Sequence, residues 1–289
     1  MAAKFDVDPD WIIFGNGSVE IIEMSARAFL DVGDTTMFSK YAFAMYKIAT
    51  MASNHEAVEI DDDGQFGHDL DKFLAAIDEK TKIIYIANPN NPTSTMLDQA
   101  TLDAFIQQVP DDILVVIDEA YYEFVESPDY PDSMKYLRDG RKNVLVLRTF
   151  SKIYGLAGLR VGYGFGHPET LAMLEKVRSP FNLNLLAQVA CEKALDCDDH
   201  IQASRELVRT ERTFVTAGLE KLGLPYIANE GNFLVVDLGR DICPVFEAMQ
   251  KKGVIVRPLM GYSMPTWLRM SYGLRSENER FLKVLQEVV

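Results

Sequence analysis

The chain has 289 residues, 48% of them hydrophobic and 25% charged, enough for one large domain or a large and a small one. A formal net charge of -14 and a pI near 4.8 argue against nucleic acid or an anionic membrane as a main partner, but not against a small anion in a local cationic pocket. Cys191, Cys197 and Cys243 form no CxxC pair and no metal-ligand spacing with the four histidines, so reduced thiols, a cytoplasmic location and no metal site are expected. Met1 to Asp10 lacks the apolar core of a signal peptide, and apolar runs such as Ile113 to Ile117 are too short to span a bilayer.

Trp11 to Phe14 reads as a strand and Gly15-Asn16-Gly17-Ser18 as a turn. Val19 to Leu30 follows as a helix, with Val19, Ile22, Ala26, Phe29 and Leu30 on one face and Ser18 as its N-cap. Further strands are predicted at Thr36 to Phe38, Ala57 to Ile60, Lys82 to Ala87, Ile113 to Ile117, Val144 to Leu147 and Val161 to Phe165. Helices such as Asp69 to Ile77 and Asp98 to Gln108 lie between them. Ile113 to Ile117 is apolar at every position, as a strand buried on both faces requires. This alternation predicts an α/β fold, a mainly parallel sheet flanked by helices. After about Pro180 the pattern changes. Leu185 to Leu222 is mostly helical, strands return at Phe233 to Leu238, Val254 to Arg257 and Trp267 to Ser271, and a helix runs from Glu277. A large domain over 1–182 and a smaller α+β domain over 183–289 are therefore expected.

Four segments fall at the carboxyl ends of predicted strands, the edge where a doubly wound sheet binds ligands. They are Gly15-Asn-Gly-Ser18, Asn88-Pro-Asn-Asn-Pro-Thr93, Asp118-Glu-Ala-Tyr121 and Thr149-Phe-Ser-Lys152, the last followed by Gly158-Leu-Arg160. Each alone has a bland reading: a turn, a helix cap or a solvated lysine. Gly15-x-Gly17 also lacks the third glycine of a dinucleotide fingerprint. Together they supply what pyridoxal phosphate needs from a protein. That is an amine, a carboxylate for the ring nitrogen, donors for the phenolate, an anion site and a flat surface for the ring.

These segments, with Gly155-Leu-Ala-Gly-Leu-Arg-Val-Gly and Trp267-Leu-Arg-Met-Ser-Tyr-Gly, resemble the fold-type I pyridoxal-phosphate-dependent aminotransferases, most closely the histidinol-phosphate aminotransferases. The likeness runs through essentially the whole chain in the expected order. It implies pyridoxal 5'-phosphate as cofactor, with Lys152 carrying it as a Schiff base and later moving the substrate Cα proton. It implies Asp118 on the pyridine nitrogen, and Asn91 and Tyr121 on the phenolate oxygen. The phosphate would lie at the start of the Val19 helix, on Gly17 and the amides of Ser18 and Val19, with Thr149, Ser151 and Arg160. Arg160 follows Lys152 by eight residues, the family's spacing. Phe43, in the aromatic cluster with Tyr41 and Tyr46, is expected to stack on the ring. Arg269 takes the place of the carboxylate-binding arginine, and Arg257 is a candidate for a second anion such as a substrate phosphate.

The resemblance further implies a homodimer that moves an amino group between histidinol phosphate, or a similar amino donor, and 2-oxoglutarate in histidine biosynthesis. A decarboxylase of a phosphorylated amino acid and an aromatic amino acid aminotransferase share the same cofactor residues. A nicotinamide dehydrogenase built on Gly15-x-Gly17 leaves Lys152 and Asp118 unexplained, and a DNA-binding regulator lacks its basic domain here. Two departures stand out. Ser94 occupies the place of a glycine that serves positive φ, implying a cost of order 1 kcal/mol or a shifted turn. Relatives also carry several dozen more residues before the Gly-Asn-Gly-Ser segment. These include an Asn-Glu-Asn-Pro stretch and a tyrosine that reaches the neighbouring subunit's cofactor phosphate. Neither motif is in this sequence, so the expectation is an open site with weaker cofactor retention and poor turnover.

Overall fold

A computed structural model describes residues 1–289. The larger sheet holds β1 (Ile12–Gly15), β2 (Thr35–Ser39), β3 (Glu56–Ile60), β4 (Thr81–Ala87), β5 (Leu114–Asp118), β6 (Val144–Thr149) and β7 (Gly162–Gly166). Their order is β1-β7-β6-β5-β4-β2-β3. β3, β2, β4, β5 and β6 are parallel to one another, while β7 runs antiparallel to both β6 and β1. Every strand expected here from the sequence is present, with ends shifted by at most two residues. The mainly parallel reading holds with β7 as the exception.

Helices α1 (Ala2–Phe5), α2 (Ser18–Phe29), α3 (Met45–Ala52), α4 (Leu70–Ala76), α5 (Gln99–Gln108), α6 (Met134–Arg138) and α7 (Pro168–Glu175) accompany this sheet. Then come α8 (Leu185–Ala194), α9 (Asp198–Leu222), β8 (Tyr226–Ile227), β9 (Phe233–Asp237), α10 (Ile242–Lys251), β10 (Arg257–Pro258), β11 (Trp267–Ser271) and α11 (Arg275–Val288). The four short strands form an antiparallel sheet in the order β10-β11-β9-β8. No helix is long and apolar enough to cross a membrane.

Three expectations need correction. Ser18 does not cap α2: Gly17 is the N-cap, at φ 81, and Ser18 is the first helical residue. The strand expected over Val254 to Arg257 shrinks to Arg257–Pro258, because the Val254 amide turns back onto the Met249 carbonyl to close α10. The last helix begins at Arg275 rather than Glu277, whose carboxylate reaches back to accept the Leu274 amide at 2.7 Å.

Strand alternation sorts the interior into two faces. Leu114 and Val116 of β5 pack with Leu145 and Leu147 of β6, Ile13 of β1 and Ile21, Ile22 and Met24 of α2. Val115 and Ile117 face the other way, with Val144, Val146, Tyr163 and Phe165, into a cluster of 46 buried residues that continues to Phe233, Leu234 and Val236 of the small sheet. By the same parity Asp118 and Thr149 emerge on the α2 face. Glu119 and Arg148 emerge on the other, where they form a buried ion pair at 2.8 Å.

Room for α2 comes from glycine. Gly15, Gly162 and Thr149 stand side by side across β1, β7 and β6. A Cβ on Gly162 would run into the backbone nitrogen of Ser18, so the helix start rests directly on the sheet. Gly162→Ala should therefore push α2 off its seat and destabilise the fold by about 1–3 kcal/mol, as overpacking does. A urea midpoint equal to that of the parent would show that the close approach is not needed.

Candidate active site

One cavity opens where α2 and α3 meet the carboxyl ends of β4, β5 and β6. Its lining includes Ser18, Val19, Phe43, Tyr46, Asn91, Asp118, Tyr121, Thr149, Ser151, Lys152 and Arg160. Ten of these eleven were singled out by the sequence; Tyr46 was known only as a member of an aromatic cluster. The third member of that cluster goes elsewhere, since Tyr41 packs on Phe66 with ring centroids 5.1 Å apart. Gly17 is not in the lining but forms the N-cap behind it. Arg257 is exposed on β10, outside the cavity.

Asp118 is the buried charge of the site. Its carboxylate accepts the Tyr46 hydroxyl on Oδ2 at 2.9 Å and the Ala120 amide on Oδ1 at 3.1 Å. Burial pushes its pKa up from 3.8 to about 6, while those two donors and the Lys152 ammonium hold it lower than burial alone would. Lys152 forms no salt bridge, and its Nζ lies 4.9 Å from the Tyr121 ring centroid. Tyr121 is buried and packs edge-on against Phe233 of β9 at 4.9 Å. A ligand in this cavity thus meets an amine, a phenol and a carboxyl group.

The asparagines of the 88–94 segment divide their work. Asn88 is structural, with its side chain bonded to both the carbonyl and the amide of Leu97. Asn90 donates to the Tyr41 carbonyl and to Thr93, both at 2.7 Å. Only Asn91 reaches the cavity, where its Oδ1 accepts a bond from Arg269 of β11. Arg269 and Arg257 stand opposite each other across β11 and β10. Ser94 has φ 61, the left-handed conformation expected at that position. Its hydroxyl accepts the Asn229 amide at 3.0 Å and its carbonyl the Glu230 amide at 3.1 Å. A hydroxyl bond of that kind offsets a left-handed cost of similar size.

At the other end, α2 points its first turn into the cavity. The amides of Ser18 and Val19 meet no acceptor in the chain. The Arg160 guanidinium lies against Gly17, filling the space a side chain there would occupy. Arg160 is itself left-handed, at φ 57, and its Nη1 is held by the Ala157 carbonyl at 3.1 Å. Ser151 adds a hydroxyl beyond the end of β6, while the Thr149 hydroxyl beside it donates to the Val161 carbonyl at 3.2 Å and accepts the Ser151 amide at 3.0 Å. Free amides, a helix dipole and a guanidinium make an anion site.

The model of the family "Aminotransferase class I and II" matches residues 1–285. Histidinol-phosphate aminotransferase 2 of Pseudomonas fluorescens is 46% identical over the whole chain, which covers 78% of that protein. Histidinol-phosphate aminotransferase of Moorella thermoacetica is 44% identical over the whole chain, covering 75% of it. Among solved structures, histidinol-phosphate aminotransferase from Sinorhizobium meliloti in complex with pyridoxal-5'-phosphate superposes with a TM-score of 0.89 at 24% identity, covering 100% of this chain and 80% of that one. The chain belongs to the class I and II aminotransferases, enzymes that move an amino group from an amino donor to a keto acid with pyridoxal 5'-phosphate as cofactor.

The raised Asp118 carboxyl has a stability consequence. A carboxyl whose folded pKa exceeds its unfolded one stabilises the fold while protonated, fully below pH 3.8. That contribution, on the order of 3 kcal/mol, is lost as pH climbs through 6. Asp118→Asn removes the titration. The cofactor-free variant should lose less stability than the parent between pH 4 and 7 and be about 1–3 kcal/mol more stable at pH 8. Superimposable urea-midpoint profiles for the two proteins would refute the raised carboxyl.

Proposed function

We propose that this enzyme transfers an amino group between histidinol phosphate and 2-oxoglutarate, in histidine biosynthesis, with its cofactor linked to Lys152. The observation that carries the reading is the convergence of Lys152, Asp118, Asn91 and Tyr121 in one cavity that ends in an anion cradle. The fit to pyridoxal phosphate rests on that cradle, on the buried carboxyl facing the amine, and on the glycine that admits Arg160.

Bound there, pyridoxal phosphate supplies an electron sink for the charge that develops at the substrate Cα. The chain's own groups do the rest. Asp118 would accept the ring N–H and keep that nitrogen protonated. Asn91 and Tyr121 would donate to the phenolate oxygen, and Phe43 would lie against the ring. Ser18 and Val19 would offer amides to the phosphate beside Gly17, with the Ser151 hydroxyl, the fork of Arg160 and the Thr149 hydroxyl once it exchanges its Val161 partner. Lys152, the amine that would carry the cofactor, would also take up and return the substrate Cα proton. Arg269 binds a carboxylate of 2-oxoglutarate, exchanging its Asn91 partner for the substrate. Arg257, exposed on the neighbouring strand outside the cavity, would meet only a group that extends beyond it, such as the phosphate of the phosphorylated donor.

Residues 1–182 form the cofactor-binding domain in this reading and 183–289 the smaller one. A homodimer is supported by the apolar surface that Phe181, Leu185, Leu186 and Val189 leave open to solvent. Three free cysteines accord with a cytoplasmic location.

Two measurements test this function. Borohydride treatment of the loaded enzyme should fix the cofactor to the peptide containing Lys152, and histidinol phosphate with 2-oxoglutarate should yield glutamate. Recovery of the reduced cofactor on another lysine, or carbon dioxide as a product, would overturn it. Arg269→Lys keeps the charge but loses the fork, so affinity for 2-oxoglutarate should fall by roughly 1–3 kcal/mol. Arg257→Gln should weaken phosphorylated donors selectively. Equal losses for phosphorylated and unphosphorylated donors in both variants would refute this division of labour.

A further inference from the structure

Tyr46 is a buried tyrosine on α3, wholly inside the α2-side core and yet in the lining of the cavity. Its ring lies flat on Tyr85, with centroids 4.8 Å apart and planes 3° from parallel, and edge-on to Phe43 at 5.8 Å. Those contacts leave the phenol one direction, and its hydroxyl donates to Asp118 Oδ2 at 2.9 Å. That carboxylate oxygen is the only partner of the hydroxyl in the chain. Tyr85, the ring beneath, has its own hydroxyl bonded to Ser25 at 2.9 Å and does not compete.

We propose that Tyr46 is a positioning residue of the active site, holding Asp118 in its ionised form and in one orientation. The inference rests on the proposed role of Asp118 toward the ring nitrogen and extends it to a residue outside that contact. Two donors, the Tyr46 hydroxyl and the Ala120 amide, aim at the two carboxylate oxygens. A neutral carboxyl would turn its own hydroxyl toward one of them and leave a buried donor without an acceptor, which disfavours the neutral form. The other ionisable groups whose charge acts on Asp118 are Lys152, which favours the charged form, and Glu119, which opposes it. Glu119 points to the far side of the sheet and is engaged by Arg148. Phenol and ammonium thus work together against burial.

A tyrosine that merely fills the core would behave differently on losing its oxygen. Tyr46→Phe keeps the ring, the stacking and nearly all the volume. The direct readout is infrared titration of the protonated-carboxyl band in the cofactor-free protein, assigned by its disappearance in Asp118→Asn. We expect Tyr46→Phe to move the midpoint upward by one to two pH units, a ten- to hundredfold change in proton affinity. Tyr85→Phe, which leaves the Asp118 bond intact, should leave it in place. An unchanged midpoint in a folded Tyr46→Phe protein would overturn the proposal, as would an equal shift in Tyr85→Phe. Cofactor retention measured against pH should move in parallel. If the carboxyl midpoint shifts while retention does not, the effect of Tyr46 on Asp118 stands and the assignment of Asp118 to the ring nitrogen falls.

Discussion

Everything in the site is arranged around one unfavourable act, the burial of the Asp118 carboxyl at the end of a strand with no solvent on either face. A carboxylate there is costly unless donors surround it. Tyr46, Ala120 and Lys152 are those donors and charges. Each comes from a different part of the chain, so the site exists only when the α2-side core, the β5 turn and the β6 turn are all in register. Tyr46 in turn needs Tyr85 beneath it, which ties the electrostatics to aromatic packing.

The anion cradle obeys the same logic with the opposite sign. Helix α2, like any helix, leaves its first amides unpaired; Gly162 lets that turn sit on the sheet, and Gly17 leaves room for Arg160 beside it. Cation and carboxyl stand at opposite ends of one cavity. A ligand with an anionic and a basic end meets a polarity already laid down.

Much of this was legible in the sequence because it depends on local signals. Ile113 to Ile117 announced a doubly buried strand, and strand ends marked the four chemical segments. What stayed hidden depends on contacts between distant residues. The Tyr46 bond to Asp118 spans 72 residues, and the Ser94 bond to Asn229 spans 135. No periodicity foretells either. The two-residue strand β8 carries too short a pattern to detect, β10 is shorter than its β-branched run implies, and the capping of α2 turned on a backbone angle at Gly17 that residue type only permits. Ser94 looked like a defect because its compensation lies in a loop of the other sheet.

The alternation of β5 carries one more consequence. Asp118 and Glu119 are neighbours in sequence but face opposite sides of the sheet, one toward the cavity and one toward Arg148. The dipeptide is therefore directional. Exchanging the two residues would preserve composition, net charge and hydropathy, yet it would thrust a longer acid into the cavity and leave the arginine facing a shorter one. Measures that compare chains by content alone would score the exchange as silent. To the folded molecule it would be a transposition of two letters that spell different words.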